Sequence, residues 1–475
     1  MLKRGDEMTL SVDNAAFEGK TVSRIDGFVV FVEGAVPGDT VHVRITKVKK
    51  SFAEAKVLRV VEPSQYRVVP RCRFVGTCGG CRWQQVEYAV QLQFKQQHVV
   101  DAFERIGGFS GVPILPIIGA DDIYFYRNKM EFSFSEQEWL LSPPRDSVAS
   151  EDVAASRSAV FLGLHVPLRY DKVLDIDECH LQSPVSNQIL NFTRAFAREH
   201  NLPVYSSATE HGYLRFLVIR ESKRTGERMV NLVTFDDRPD VLRRFTQELL
   251  SAVPSVTTVV NTINSKKAQI AYGDVEKIYF GEGVIHEQIG RYRFTISASS
   301  FFQTNTVQAE KLYGVAREFA ELSPSDVVWD LYSGTGTIAL FVSDAAQEVI
   351  GIESVESAVR DAERNAHQNN VRNCTFLLGD LKERLTKETD WLAHHPKPDV
   401  MIIDPPRSGM HPQVVEEILA IAPSRIVYVS CNPATQARDV KMLCASRYEL
   451  VKLQPVDMFP HTYHVENVAL LHRKG

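Results

Sequence analysis

No stretch of this 475-residue chain approaches the ~18 consecutive apolar residues that would cross a bilayer. The opening MLKRGDEMTL has none of the apolar core of a secretory signal, so a cytoplasmic protein with no membrane partner is expected. Nor is there an excess of one charge: 54 Lys and Arg against 59 Asp and Glu leave a formal net charge of −5. Any polyanion would have to be met by a local basic surface rather than by the field of the whole molecule. Two phosphate signatures are missing, the GxGxxG dinucleotide fingerprint and the GxxxxGK[ST] loop. No repeat of fixed period is visible, and nothing points to a protein partner. Cysteine is scarce, seven residues in all. In a reducing compartment that argues for metal ligation or catalysis before disulfides.

What is present divides into regions, since the length exceeds one ordinary core. With 44% hydrophobic and 24% charged residues the composition is globular. Residues 1–62 alternate apolar and polar in short runs broken by Asp26-Gly27 and Pro37-Gly38. That pattern predicts a small all-β, OB-like barrel. Its last strands carry Arg44, Lys47, Lys49, Lys50, Lys56 and Arg59 against one acid, Glu54. They suit a phosphate backbone or equally a solvated sheet face. Residues 63–290 mix strands and helices as a central α+β domain. Within it, 86–107 has helical spacing, a Gly107-Gly108 stop and an apolar face free to pack on the C-terminal domain. The polar stretch 142–159 reads as an insertion. From 291 to 475, VVWDLY, EVIGIES, CTFLLGD, DVMIIDPP and RIVYVSC alternate with helical patterns, predicting a doubly wound, largely parallel α/β sheet.

Ligands of such sheets bind beyond the carboxyl ends of the strands. Asp330 to Thr337, DLYSGTGT, is a strand exit with a glycine turn, and Glu353 ends the next strand, where a carboxylate can accept both ribose hydroxyls. Asp380 closes the third, near an adenine edge. An adenosine site without a phosphate cradle points to S-adenosylmethionine, ahead of a dinucleotide. Asp404-Pro405-Pro406-Arg407 ends the fourth strand. Arg407 stands where amino-group methylases of the DPPY type carry an aromatic, which disfavours that chemistry. The fifth strand delivers Cys431. A thiol beside a sulfonium suggests covalent catalysis: addition to carbon 6 of a pyrimidine makes carbon 5 nucleophilic, and a base must later remove the carbon 5 proton. Glu466, opening the last strand in HVENVALL, is the best placed carboxylate. His461 and His464 make a poor zinc pattern. Cys72, Cys78, Cys81 and the distant Cys179, with one C-x2-C pair, suggest a zinc or iron–sulfur site.

Taken in order, RIDGFVVFVEGAVPGD, FFQTN, DLYSGTGT, GIE, IDPPRSGM, VYVSCNP and VENVALL resemble the motifs of the RNA uracil-5-methyltransferases along most of the chain. The resemblance implies a class I, Rossmann-like methyltransferase domain behind a TRAM-like barrel. It implies S-adenosylmethionine contacts from Gln303, Tyr332, Glu353 and Asp404, with Asp380 and Thr337 beside them. Cys431 becomes the nucleophile and Glu466 the proton acceptor. Cys72, Cys78, Cys81 and Cys179 become ligands of a [4Fe-4S] cluster. The RNA substrate is expected to be 23S ribosomal RNA, with transfer RNA the alternative. RNA cytosine-5-methylation is disfavoured because DPPR lacks a second cysteine. A non-catalytic RNA-binding protein would need neither Cys431 nor Glu466.

Overall fold

The computed structural model describes residues 2–16, 19–140, 160–166, 172–385 and 394–475; the insertion expected at 142–159 lies outside them. Two units are distinguished, Met1–Gly76 with Cys81–Ile123 and Gln308–Gly475, and Thr77–Gly80 with Tyr124–Val307.

In the first unit the N-terminal alternation becomes β1 (Glu7–Ser11), β2 (Asn14–Ala15), β3 (Thr21–Ile25), β4 (Phe28–Glu33), β5 (Thr40–Val48) and β6 (Phe52–Glu62). β1 and β2 are two halves of one interrupted strand. The first pairs with β5 and the second with β3, so the order β1-β5-β6-β4-β3-β2 curls into a barrel. The Asp26-Gly27 turn is the predicted two-residue hairpin, with φ of 48° and 84° between Ile25 and Phe28, which face each other. Positive φ at both central residues matches the twist of the flanking strands. Val30, Val32, Val41, Val43, Ile45, Ala53 and Ala55 fill the interior, every second residue of their strands.

The chain leaving the barrel is tied back to it. Arg67 reaches Asp39 with two hydrogen bonds of 2.7 Å, and Asp39 also accepts from the N–H groups of Ser64 and Val36. Then comes α1 (Tyr88–Asp101), continued by a π-helical turn over 102–107 and closed by Gly108 at φ 76°. The stop signal is where the sequence places it.

The second unit holds β7 (Lys129–Ser135), β8 (Phe161–His165), β9 (Val173–Asp175), β10 (Leu214–Glu221), β11 (Arg228–Thr234), β12 (Thr258–Ile263) and β13 (Val275–Phe280). They form one mixed sheet ordered β13-β12-β11-β10-β7-β8-β9. The helices α2 (Pro184–Glu199) and α3 (Pro239–Ala252) and the hairpin β14 (Val284–Ile289) and β15 (Tyr292–Ser297) complete an α+β unit.

After α4 (Thr306–Ala320) the strand–helix alternation is as expected: β16 (Val327–Leu331), α5 (Thr337–Val342), β17 (Glu348–Glu353), α6 (Glu356–Gln368), β18 (Cys374–Leu378), α7 (Leu381–Arg384), β19 (Val400–Ile403), α8 (Pro412–Ile421), β20 (Arg425–Ser430), α9 (Pro433–Cys444), β21 (Tyr448–Val456) and β22 (Glu466–Arg473). The order is β18-β17-β16-β19-β20-β22-β21. β22 alone runs antiparallel to its neighbours. This is the doubly wound class I arrangement. Its strands are buried on both faces, as continuous runs such as VVWDL and VMII require. Val99, Ala102 and Phe103 from the 88–107 segment enter the same core as Trp329, Met401 and Tyr428.

Candidate active site

β16 leaves the sheet through Tyr332, whose φ of 65° is left-handed in spite of its side chain. Strain of this kind persists where the surroundings over-determine the backbone. Gly334 and Gly336 follow at φ 54° and 77°, and a Cβ on Gly336 would lie 2.7 Å from the Phe376 ring. The Gly334 N–H donates to Glu353 Oε2 at 3.0 Å, while Glu353 Oε1 accepts from the N–H groups of Ser354 and Val355 at 2.7 and 2.8 Å. Three backbone donors thus fix the carboxylate and leave lone pairs for a ligand. Asp380 caps α7, accepting from the Lys382 N–H at 2.9 Å. Thr337 Oγ1 lies 3.2 Å from the Tyr313 hydroxyl.

Between these strand ends opens a cavity of about 370 Å³, lined by Tyr332, Ile352, Ser354, Asp380, Pro406 and Met410 among others. Beneath the turn, Asp330 is buried, with Oδ2 accepting from the Ala339 N–H at 3.0 Å. Its Oδ1 and the Ser333 Oγ find no hydrogen-bond partner among the described residues. Buried polar atoms are rarely orphaned. A small-molecule-sized cavity at the strand ends, beside a tethered carboxylate, fits an aminoacyl nucleoside such as S-adenosylmethionine. Asp330 is a residue the sequence reading did not single out. Burial first, then the charge of Asp404, pushes its carboxyl well above the usual range. The available signal was an acid inside an otherwise apolar strand, directly before the glycine turn.

One strand further, three chemically active side chains meet. In the β20–β22 ladder Ser430 faces Asn467, so the next step of the same register sets Cys431 against Glu466. Adjacent strands lie about 4.8 Å apart. Asp404 follows the last paired residue of β19, Ile403. The charges interact accordingly. Burial, then Glu466 and Asp404, pushes the Cys431 thiol up to about 12, against the opposing pull of the Arg407 guanidinium. Glu466, only 5% exposed, is pushed up to about 8 by burial and by Asp404, with Arg407 again opposing. Asp404 is pushed up to about 7 by burial.

The turn after Cys431 is built to hold that thiol. Asn432 caps α9 by accepting from the Ala434 N–H, and its amide donates to the Arg407 carbonyl at 3.1 Å. Pro433 begins the helix, where its missing N–H costs nothing. Behind it, the Gln436 amide donates to the carbonyls of Tyr428 and Asn467 and accepts from the Asn467 side chain. α9, β20 and β22 are locked in register by that exchange. Arg407 lies 6.0 Å from the Tyr463 ring and 3.5 Å from His464. Sequence reasoning used Arg407 only to exclude a chemistry; its position beside the thiol was not legible.

Gln303 belongs to the second unit, where its carbonyl accepts from the Asn128 amide at 2.8 Å. Of the four motif cysteines, Cys72 and Cys81 belong to the first unit and Cys78 and Cys179 to the second. Among the described residues no three His, Cys, Asp or Glu side chains come together to hold a metal ion. The expected basic face of the barrel is also smaller than it reads. Arg44 pairs with Glu7 at 2.7 Å and Lys47 with Glu54 at 3.3 Å, while Arg67 is committed to Asp39. Lys49, Lys50, Lys56 and Arg59 stay exposed.

Comparison with known proteins agrees with this geometry. Residues 225–474 match the family model of tRNA (uracil-5-)-methyltransferases, and residues 2–58 match the TRAM domain. An uncharacterized RNA methyltransferase of Bacteroides thetaiotaomicron is 44% identical over 460 residues, 96% of this chain and 99% of the relative. Another, of Chlorobaculum tepidum, is 41% identical over 99% of this chain and 97% of its own length. The solved structure of the Pyrococcus abyssi tRNA (uracil-54, C5)-methyltransferase with S-adenosyl-L-homocysteine superposes with a TM-score of 0.74 at 30% identity, covering 98% of this chain and 100% of that one.

Proposed function

The chain belongs to the tRNA (uracil-5-)-methyltransferase family, and from that premise we propose that it methylates carbon 5 of a uridine in folded RNA through a covalent enzyme–RNA adduct. The observation that carries this reading is the closeness of Cys431, just past the Ser430–Asn467 pair, to the Glu466 and Asp404 carboxyls whose charges act on its thiol, beside a cavity suited to the methyl donor. S-adenosylmethionine, when bound, supplies the methyl group. Glu353, Asp380, Tyr332 and Gln303 are proposed to bind and orient it, and Asp404 to lie where the donor meets the target base.

The steps for the chain's own residues follow from electron demand. The Cys431 thiolate adds to carbon 6 of the uracil, and the ring electrons move into an enolate that makes carbon 5 nucleophilic. After carbon 5 has taken the methyl group, the Glu466 carboxylate accepts the carbon 5 proton. The electrons left behind expel the thiolate and restore the ring double bond. A buried glutamate whose carboxyl is raised to about 8 suits this exchange, because a base works best near the operating pH. Reaching Cys431 requires the base to leave its stack, at a cost of a few kcal/mol.

Release of tritium from carbon-5-labelled uridine RNA tests the reaction. Cys431→Ala should abolish both release and the adduct, and continued methylation by that variant would overturn the mechanism. For the target we propose 23S ribosomal RNA, supported by the resemblance in the barrel and the cysteine spacing. The archaeal structure named for a tRNA target supports transfer RNA as the second reading. Mapping 5-methyluridine in both RNAs with and without the protein separates them. The [4Fe-4S] assignment to Cys72, Cys78, Cys81 and Cys179 rests on spacing and resemblance alone. Iron and sulfide content after anaerobic purification tests it.

A further inference from the structure

Glu466 is the first residue of β22, and β21 ends at Val456, its partner in the ladder. The nine residues between them form a hairpin loop. The loop runs directly into Glu466 and has no regular structure of its own. From outside it is held by Gln308 of α4, which donates to the Asp457 carbonyl at 2.8 Å, by Ile118, whose carbonyl accepts from the Asp457 N–H, and by three side chains of α1. On α1, the Gln91 Oε1 accepts from the His461 N–H at 2.8 Å, and the Gln91 amide nitrogen lies 3.2 Å from the His461 ring. The same amide donates to the carbonyls of Trp83 and Val86. One turn on, Lys95 donates to Asp457 Oδ1 at 2.6 Å and to the Phe459 carbonyl at 3.0 Å. One turn back, the Tyr88 hydroxyl donates to Asp457 Oδ2 at 2.9 Å.

These groups are costly to place. Gln91 and Lys95 are fully buried, and the Lys95–Asp457 pair has no exposure on either side. Burial pulls the Lys95 ammonium down, and the Asp457 charge opposes that. A buried ion pair is poor evidence for stability, because apolar packing often does as well. His461 itself sits at φ 67°, an unfavourable backbone for a side chain larger than glycine. The Arg82 and Trp83 N–H groups both donate to its carbonyl. Strain, a buried pair and three neighbouring positions of one helix face all serve one loop, and that loop ends on Glu466.

We propose that Gln91, supported by Lys95 and Tyr88, is a positioning residue that sets the Glu466 carboxylate for removal of the carbon 5 proton. The inference rests on the covalent reading above. It separates two halves of the reaction. Loss of Gln91 leaves Cys431 and its addition to carbon 6 intact but slows the proton step, so the adduct accumulates.

The test compares wild type, Glu466→Gln and Gln91→Met for tritium release and for SDS-stable adduct with the same uridine RNA, each normalised to folded protein by circular dichroism. A displacement on the order of 1 Å costs about a hundredfold. Gln91→Met should therefore lower release at least roughly tenfold while raising the adduct, as Glu466→Gln does. Should Gln91→Met not fold, Tyr88→Phe, which removes the hydrogen bond to Asp457 and the one accepted from the Ala120 N–H, should show the same split more weakly. Release and adduct falling in parallel, or release unchanged, would overturn the positioning role. If the Glu466→Gln control itself builds no adduct, the covalent reading fails first and is identified as the cause.

Discussion

At the scale of single residues, the proposed chemistry depends on three acids meeting one cation. Cys431 and Glu466 are both held protonated near neutral pH by burial and by neighbouring carboxyls, and Arg407 pulls each back toward its charged form. In the proposed mechanism thiolate and carboxylate are the reactive forms, so kcat/KM should rise with pH through a limb near 8 for Glu466 and keep rising toward the higher range of the Cys431 thiol. Arg407→Gln removes the cation and disfavours both anions, so the limb should move to higher pH. A pH–rate profile of the two proteins checks this; a shift to lower pH would show that Arg407 does not face the pair. Cys431 and Glu466 were legible in the sequence because a thiol at a strand end and an acid at a strand start are out of place in a core. Arg407 was not legible, since nothing in DPPR says which way the arginine turns. Gln91 and Lys95 were hidden for another reason. In VEYAVQLQFKQQ they read as the polar face of an amphipathic helix, and only the fold buries them.

At the scale of elements, the sequence was clearest where the backbone demands a residue type. Asp26-Gly27 made its hairpin, and Gly107-Gly108 ended its helix. The glycine turn after β16 obeys the same logic. Gly336→Ala meets both an unfavourable φ, worth about 1–2 kcal/mol for an L-residue, and the Phe376 ring at 2.7 Å. Titration calorimetry should show weaker S-adenosylmethionine binding, by roughly tenfold or more for a loss of about 1.4 kcal/mol. Cys431 chemistry on pre-bound RNA should be less affected. The strand order was less legible. That the last strand returns antiparallel and sets Glu466 against Cys431 depends on pairings of residues far apart in sequence, such as Gln436 with Asn467.

At the scale of the whole molecule, a net charge of −5 leaves RNA attraction to local patches. With Arg44, Lys47 and Arg67 in ion pairs, Lys49, Lys50, Lys56 and Arg59 are the exposed cations of the last two strands and the turn between them. Replacing these four by Gln should weaken RNA binding and lower its salt dependence, each lost phosphate contact removing about 0.7–0.9 from the slope of log K against log salt. The slope staying as it was would exclude the barrel face from the interface. Composition could indicate the cluster of basic residues but not which of them are already paired.

The central claim is that Cys431 carries the target uracil. RNA containing 5-fluorouridine tests it most directly, because fluorine at carbon 5 cannot be removed as a proton and the last step stops. With S-adenosylmethionine present, mass spectrometry of the digested complex should find a methylated fluorouracil linked to the peptide bearing Cys431. Methylated RNA released without an adduct, or an adduct on any other residue, would contradict the account.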